Sequence, residues 1–263
     1  KSRWMALPEN TTIAVEADGD WTFPKGAVLM KHFELQGQLV ETRLFMRHTD
    51  TGNWRGYTYR WNSTLTDAVL VTGGRSVTIG THRWIYPSEA QCMQCHTAAA
   101  GGTLGLETRQ LNSNIAYPQT GRTANQLTTL EKIGMFSGAL DRLDAYPSPA
   151  DTTQSLAVRA PSYLHTNCAQ CHPPGGGTPG DMDLRYSTAM ADTKTCSVAP
   201  STGDLGVTGA KIVSAADAGH SVLYLGMPPR DANKMAPVGS NLVDAEAGAL
   251  IQRWIDGMGS GCQ

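Results

Sequence analysis

The pentapeptide Cys-x-x-Cys-His occurs twice, as Cys92-Met93-Gln94-Cys95-His96 and as Cys168-Ala169-Gln170-Cys171-His172. No other feature limits the chain so tightly. Paired thiols followed at once by an imidazole form the attachment pattern of c-type haem. At this spacing the thiols reach the two vinyl groups on one edge of a porphyrin, and the adjacent imidazole falls under the iron as proximal ligand. With 7 histidines in 263 residues, chance would place His after both pairs about once in 1,400 chains. Structural zinc also uses Cys-x-x-Cys, but it needs four thiolates in one tetrahedral site and leaves the repeated His unexplained. Thioredoxin-like redox chemistry does not call for the His either. The expectation is two haem c groups, held by Cys92 and Cys95 and by Cys168 and Cys171, with His96 and His172 as iron ligands.

Charge and hydropathy narrow the class further. The net charge is −2 and no basic cluster stands out along the chain, so neither nucleic acid nor an anionic membrane surface is expected as a partner. No run approaches the roughly 18 apolar residues of a membrane span. The opening residues Lys1-Ser2-Arg3-Trp4 carry no apolar leader. Haem attachment to this motif takes place outside the cytoplasm, so the chain reads as a processed or excised segment of a periplasmic or extracellular protein. Four of the six cysteines are committed to haem. The remaining pair, Cys196 and Cys262, is expected to form a disulfide in an oxidising compartment.

An α+β organisation is expected, in three segments. Residues 1–86 read as a β-rich unit: Val28–Leu35 and Val40–Met46 are strand-like, and aromatic residues recur at about period two in Trp54–Trp61. That aromatic stripe reads as a sheet core rather than a sugar-binding platform. Gly73-Gly74, between apolar runs, reads as a hairpin. Residues 87–150 form a first haem-binding segment, with a helix over 125–133 stopped by Gly134. Tyr146-Pro147-Ser148-Pro149 looks like a linker.

Residues 151–263 read as a mostly helical, class I cytochrome c-like domain. A short helix from Pro161 would deliver Cys168. Val243, Ala247, Leu250, Ile251, Trp254, Ile255 and Met258 trace one face of a closing helix capped by Asp244. Such domains place an axial Met in a loop before that last helix, which names Met235 as distal ligand of the second iron. Met227 in Gly226-Met227-Pro228-Pro229 is its local rival, and Met182 and Met190 are further candidates. For the first iron the residues leave Met135, His32, His48 and His82 open.

Over nearly its whole length the chain resembles the dihaem cytochrome c module found fused to, or beside, bacterial PQQ-dependent sugar dehydrogenase-like proteins. The resemblance is carried by Gly19–Gly26 (GDWTFPKG), Trp54–Asn62 (WRGYTYRWN), Leu104–Asn112 (LGLETRQLN), Met182–Tyr186 (MDLRY) and both haem motifs. It implies electron transfer, a redox partner such as a quinoprotein dehydrogenase, and a downstream acceptor. It also implies Met227 as distal ligand of the first haem, since relatives tend to keep Met there. A carrier of single electrons is therefore the leading expectation. The rivals are a dihaem peroxidase-like enzyme with one open iron, and a carbohydrate-binding module that carries haems. The motifs stand 76 positions apart, much closer than in dihaem peroxidases.

Overall fold

The structure, a computed structural model, describes residues 1–141 and 143–262. The chain divides into two compact units, Lys1–Ala145 and Tyr146–Gln263. It is mixed α and β, with the β-structure concentrated in the first unit.

Nine strands occupy the N-terminal part: β1 (Ser2–Ala6), β2 (Ala14–Val15), β3 (Trp21–Thr22), β4 (Val28–Leu35), β5 (Gln38–Arg47), β6 (Trp54–Trp61), β7 (Ala68–Leu70), β8 (Arg75–Ile79) and β9 (His82–Tyr86). Then come α1 (Glu89–Met93), α2 (Thr108–Leu111), β10 (Asn114–Tyr117), β11 (Arg122–Asn125) and α3 (Gln126–Lys132). The main sheet is antiparallel in the order β1-β4-β5-β6-β7. Its central hairpin is fixed locally. Gln36 and Gly37 both take positive φ, 52° and 79°, as the tight turn that matches strand twist demands. Leu35 then pairs with Gln38.

One core serves the stretches before and after the first Cys-x-x-Cys-His motif. Ile13, Trp21, Phe23 and Ala27 pack with Leu127, Phe136 and Leu140. The Ile13 amide donates to the Met135 carbonyl at 2.8 Å, and the Trp21 indole donates to Thr108 Oγ1 at 3.2 Å. Segments 1–86 and 87–145 are thus parts of one folded body. α3 begins where sequence placed it, with Asn125 Oδ1 accepting from the Thr128 amide.

Two readings of local pattern change. The Gly73-Gly74 step does not join a hairpin, because β7 pairs with β6 while β8 pairs with β9. The aromatic stripe of β6 is core only in part. Trp54 packs against the first unit's core on the face of the buried Gly56 and Thr58, while Tyr57, Tyr59 and Trp61 are half-buried on the other face. Alternation was read correctly, but three of the four rings lie opposite the buried small residues.

The second unit contains α4 (Leu156–Asn167), α5 (Val222–Leu225) and α6 (Ala245–Asp256), with 3₁₀ turns at Met190–Asp192 and Ala218–His220. α4 starts five residues before Pro161, which lies inside it. Ala160 and Leu164 of α4 share a buried cluster with Leu250, Ile251 and Ile255 of α6. Full burial of the leucine and isoleucine side chains stabilises by about 1.5–3 kcal/mol each. Asp244 caps α6 by accepting from the Ala247 amide at 3.0 Å. Cys196 and Cys262 are joined in a disulfide. The long irregular stretch between the helices is tied back by backbone bonds, among them Leu184 N–H to His172 C=O at 3.0 Å and Ala216 N–H to Ile255 C=O at 3.1 Å. No helix among the described residues is long and apolar enough to cross a membrane.

Candidate haem-attachment sites

The two pentapeptides adopt the same turn. In the first, the carbonyl of Cys92 accepts from Cys95 N–H at 3.3 Å and from His96 N–H at 3.1 Å. In the second, Cys168 C=O accepts from Cys171 N–H and from His172 N–H, both at 3.0 Å. These are three- and four-residue helical bonds, so each motif is one helical turn that brings both thiols and the imidazole to one side.

Each turn hangs from a different support. The first begins inside α1, only five residues long and too short to be stable alone. A capping box holds it: the Gln91 amide donates to Ser88 Oγ at 3.2 Å, and the Ser88 amide donates to Gln91 Oε1 at 3.0 Å. The helix lies against β6 at Gly56, where a Cβ would stand 2.8 Å from Cys92 Sγ and 2.9 Å from Cys92 Cβ. Only a residue without a side chain admits Cys92 there. The second turn continues α4, with Cys168 N–H donating to Leu164 C=O at 2.8 Å.

The histidines are tethered alike. His96 Nδ1 lies 2.6 Å from the Gly102 carbonyl oxygen, and His172 Nδ1 lies 3.1 Å from Thr178 Oγ1. Both partners stand six residues beyond the histidine. A carbonyl can only accept, so Nδ1 of His96 carries the proton and Nε2 keeps its lone pair. Burial holds the His96 imidazole neutral, down to about 4, with the Gly102 bond opposing that shift and the Lys31 and Arg43 charges reinforcing it. His172 is likewise lowered by burial. A neutral imidazole with a fixed ring and a bare Nε2 is what metal ligation needs.

Surroundings differ between the two. The His96 ring meets Phe45 at 4.0 Å between centroids, and Phe45 stacks on Trp54 at 4.7 Å. Cys168 sits against the apolar cluster of the second unit with Met182, Met190, Leu223, Tyr224 and Met227, and burial pushes its thiol up to about 12. Burial also raises the Cys92 thiol. None of these four cysteines is in a disulfide.

Of the candidate distal ligands, Met235 is 53% exposed on the loop before α6, its amide donating to the Gly226 carbonyl at 2.9 Å. Met227 is half-buried next to that same glycine, against the second unit's cluster. Met135 packs in the first unit's core. His48 bonds the Tyr57 hydroxyl at 2.8 Å and His32 meets the Trp4 ring edge-on at 4.6 Å, so both have structural partners.

Sequence reading missed four contributors. Ser88-Glu89-Ala90-Gln91 is a legible capping-box pattern. Gly56, Gly102 and Thr178 carried no local signal. Elsewhere in the second unit, the buried Nε of Arg230 has no hydrogen-bond partner among the described residues, although its guanidinium also donates to the Pro229 carbonyl. A buried donor without an acceptor is costly. Among the described residues no three His, Cys, Asp or Glu side chains gather to hold a bare metal ion. Set against known proteins, the chain matches no family model, no curated protein and no solved structure.

Proposed function

We propose that this protein is a dihaem c-type cytochrome that relays single electrons, with one haem on Cys92 and Cys95 and the other on Cys168 and Cys171. The observation that carries the reading is the repeated turn. Two pentapeptides in unrelated surroundings share one hydrogen-bond pattern and one histidine tether six residues on. The residues fit the group: thiols outside any disulfide, imidazoles with Nδ1 engaged, and in the second unit an orphaned Arg230 Nε suited to a propionate oxygen. Bound in this way, haem supplies a reversible one-electron iron couple whose potential follows its axial ligands and surroundings.

The protein's own part is to hold, orient and enclose. His96 and His172 present Nε2 as proximal ligands. The second unit serves as a class I cytochrome c-like domain, in which α4 delivers the attachment turn and α6 packs over it. Met235, on the loop before α6, is the proposed distal ligand of the second haem. The Cys196–Cys262 disulfide accords with a periplasmic or extracellular location. The resemblance to modules beside quinoprotein dehydrogenases suggests such an enzyme as donor, with a separate acceptor downstream.

Intact mass and reduced-minus-oxidised visible spectra test the proposal. The expected result is two covalent haems that are low-spin and take up one electron each. A mass without haem additions, or colour stripped by acid–acetone, would overturn it. A high-spin ferric resting state with fast peroxide turnover would instead promote the peroxidase reading. Met235→Ala should leave the second haem attached, lower its potential and admit carbon monoxide. An unchanged methionine–iron charge-transfer band would move the assignment to Met227 or Met182.

A further inference from the structure

One row of the first unit's sheet carries a charge pattern that its own side chains only partly answer. Antiparallel pairing sets Arg3 opposite Lys31, and Lys31 opposite Arg43, across β1, β4 and β5. Like charges directly opposite one another destabilise a sheet. Arg43 has compensation, since its guanidinium donates two bonds to the buried carboxylate of Glu41. Lys31 has no ion pair or side-chain hydrogen bond among the described residues. Burial, then Arg3, Arg43 and Lys1, all cations, press its ammonium down to about 8.

The adjoining row on the same face pairs Leu29 with Phe45 and Phe45 with Gly56. Phe45 is the residue against the His96 ring, and Gly56 is the seat of Cys92. The cationic row is therefore the neighbour of the first attachment turn.

We infer that the Arg3–Lys31–Arg43 row is the carboxylate site of the first haem, receiving the porphyrin's propionates. The inference rests on the proposal that Cys92 and Cys95 carry haem. Its dimensions agree. Lys31 stands two strands and two residues from Gly56, about 12 Å by strand spacing and rise. The porphyrin's carboxylates lie across the macrocycle from the vinyl edge that the thiols take. Anionic oxygens there offset the cross-strand repulsion and accept charge-assisted bonds from Lys31 and the arginine forks.

The test uses the full dihaem protein with Lys31→Gln, Lys31→Glu and Lys31→Arg. His32→Gln, the next residue of β4 on the opposite face, is the control. Intact mass reports haem occupancy, spectroelectrochemistry the two potentials, and redox-difference infrared spectra the propionate C=O stretch. A Cys92→Ala/Cys95→Ala protein identifies which signal belongs to the first haem. Lys31→Gln should lower the first haem's potential and shift its propionate band, because removing a cation favours ferric iron. Lys31→Glu should lower it further, or reduce first-haem occupancy, and Lys31→Arg should restore both readouts. The second haem and the His32→Gln protein should be unmoved. Two attached haems with the first haem's potential and propionate band unchanged in Lys31→Gln would overturn this inference alone. Absence of haem from the wild-type mass would overturn the electron-carrier proposal and this inference with it.

Discussion

The two Cys-x-x-Cys-His turns are the same object on different mounts. In the first unit a five-residue helix, closed by Ser88 and Gln91, sets the turn on a sheet at Gly56. In the second, the turn extends a 12-residue helix whose buried face shares a cluster with α6. The shared part is made by neighbours three and four residues apart, so it follows wherever the pentapeptide begins a helical turn. The different parts set the chemistry around each imidazole. His96 lies beside a stacked Phe45–Trp54 pair and two cations, Lys31 and Arg43. Cys168, four residues before His172, joins an apolar cluster with several methionines and Leu223. A local motif thus fixes how an imidazole is presented, while the mount decides the field it works in.

The sharpest way to break this comparison is to remove one turn at a time. Cys92→Ala with Cys95→Ala should abolish one haem by intact mass and leave the other, and Cys168→Ala with Cys171→Ala should do the converse. Loss of both haems from either double variant would show that the turns are not independent. Next in size is the staple found only in the second unit. Its disulfide spans 66 residues, which in the chain-entropy model is worth about 4 kcal/mol. Replacing Cys196 and Cys262 by Ser should destabilise the second unit by about that amount in urea. Exchange protection in the β-sheet should stay as it was, and an equal loss there would contradict two separately stabilised units.

Two smaller effects are confined to the first mount. Gly56→Ala introduces a Cβ within 2.9 Å of Cys92, and relieving such overpacking costs about 1–3 kcal/mol. First-haem occupancy should fall with it while second-haem occupancy holds; unchanged stability would mean that α1 shifts freely on the sheet. Ser88→Ala removes half of the capping box and should cost about 1 kcal/mol, read as a lower urea midpoint. No change would indicate that packing on β6, not the cap, holds this short helix.

How much of this was legible in the sequence varies with the range of the interactions concerned. The strands Val28–Leu35 and Val40–Met46, the helix beginning at about Asn125 and the Asp244 start of α6 follow from patterns of a few residues. The Gly73-Gly74 hairpin failed because two adjacent apolar runs and a glycine pair do not say which strand each run will join. The β6 stripe held only at Trp54, for a related reason. Alternation gives two faces but not which of them is covered, and here Cys92 and its short helix claim the face lined by Gly56 and Thr58.

The sequence by itself determined the two Cys-x-x-Cys-His pentapeptides, the pairing of the two remaining cysteines and the β-rich character of the first part, because each rests on residue chemistry or on patterns within a few positions. Tertiary structure alone decided that residues 1–86 and 87–145 share one core, that Gly102 and Thr178 hold the histidines, and that Gly56 makes room for Cys92. It also aligned Arg3, Lys31 and Arg43, residues far apart in the chain, into one row. These depend on strand register and on which faces are buried, quantities set by the sum of many weak contacts over the whole unit.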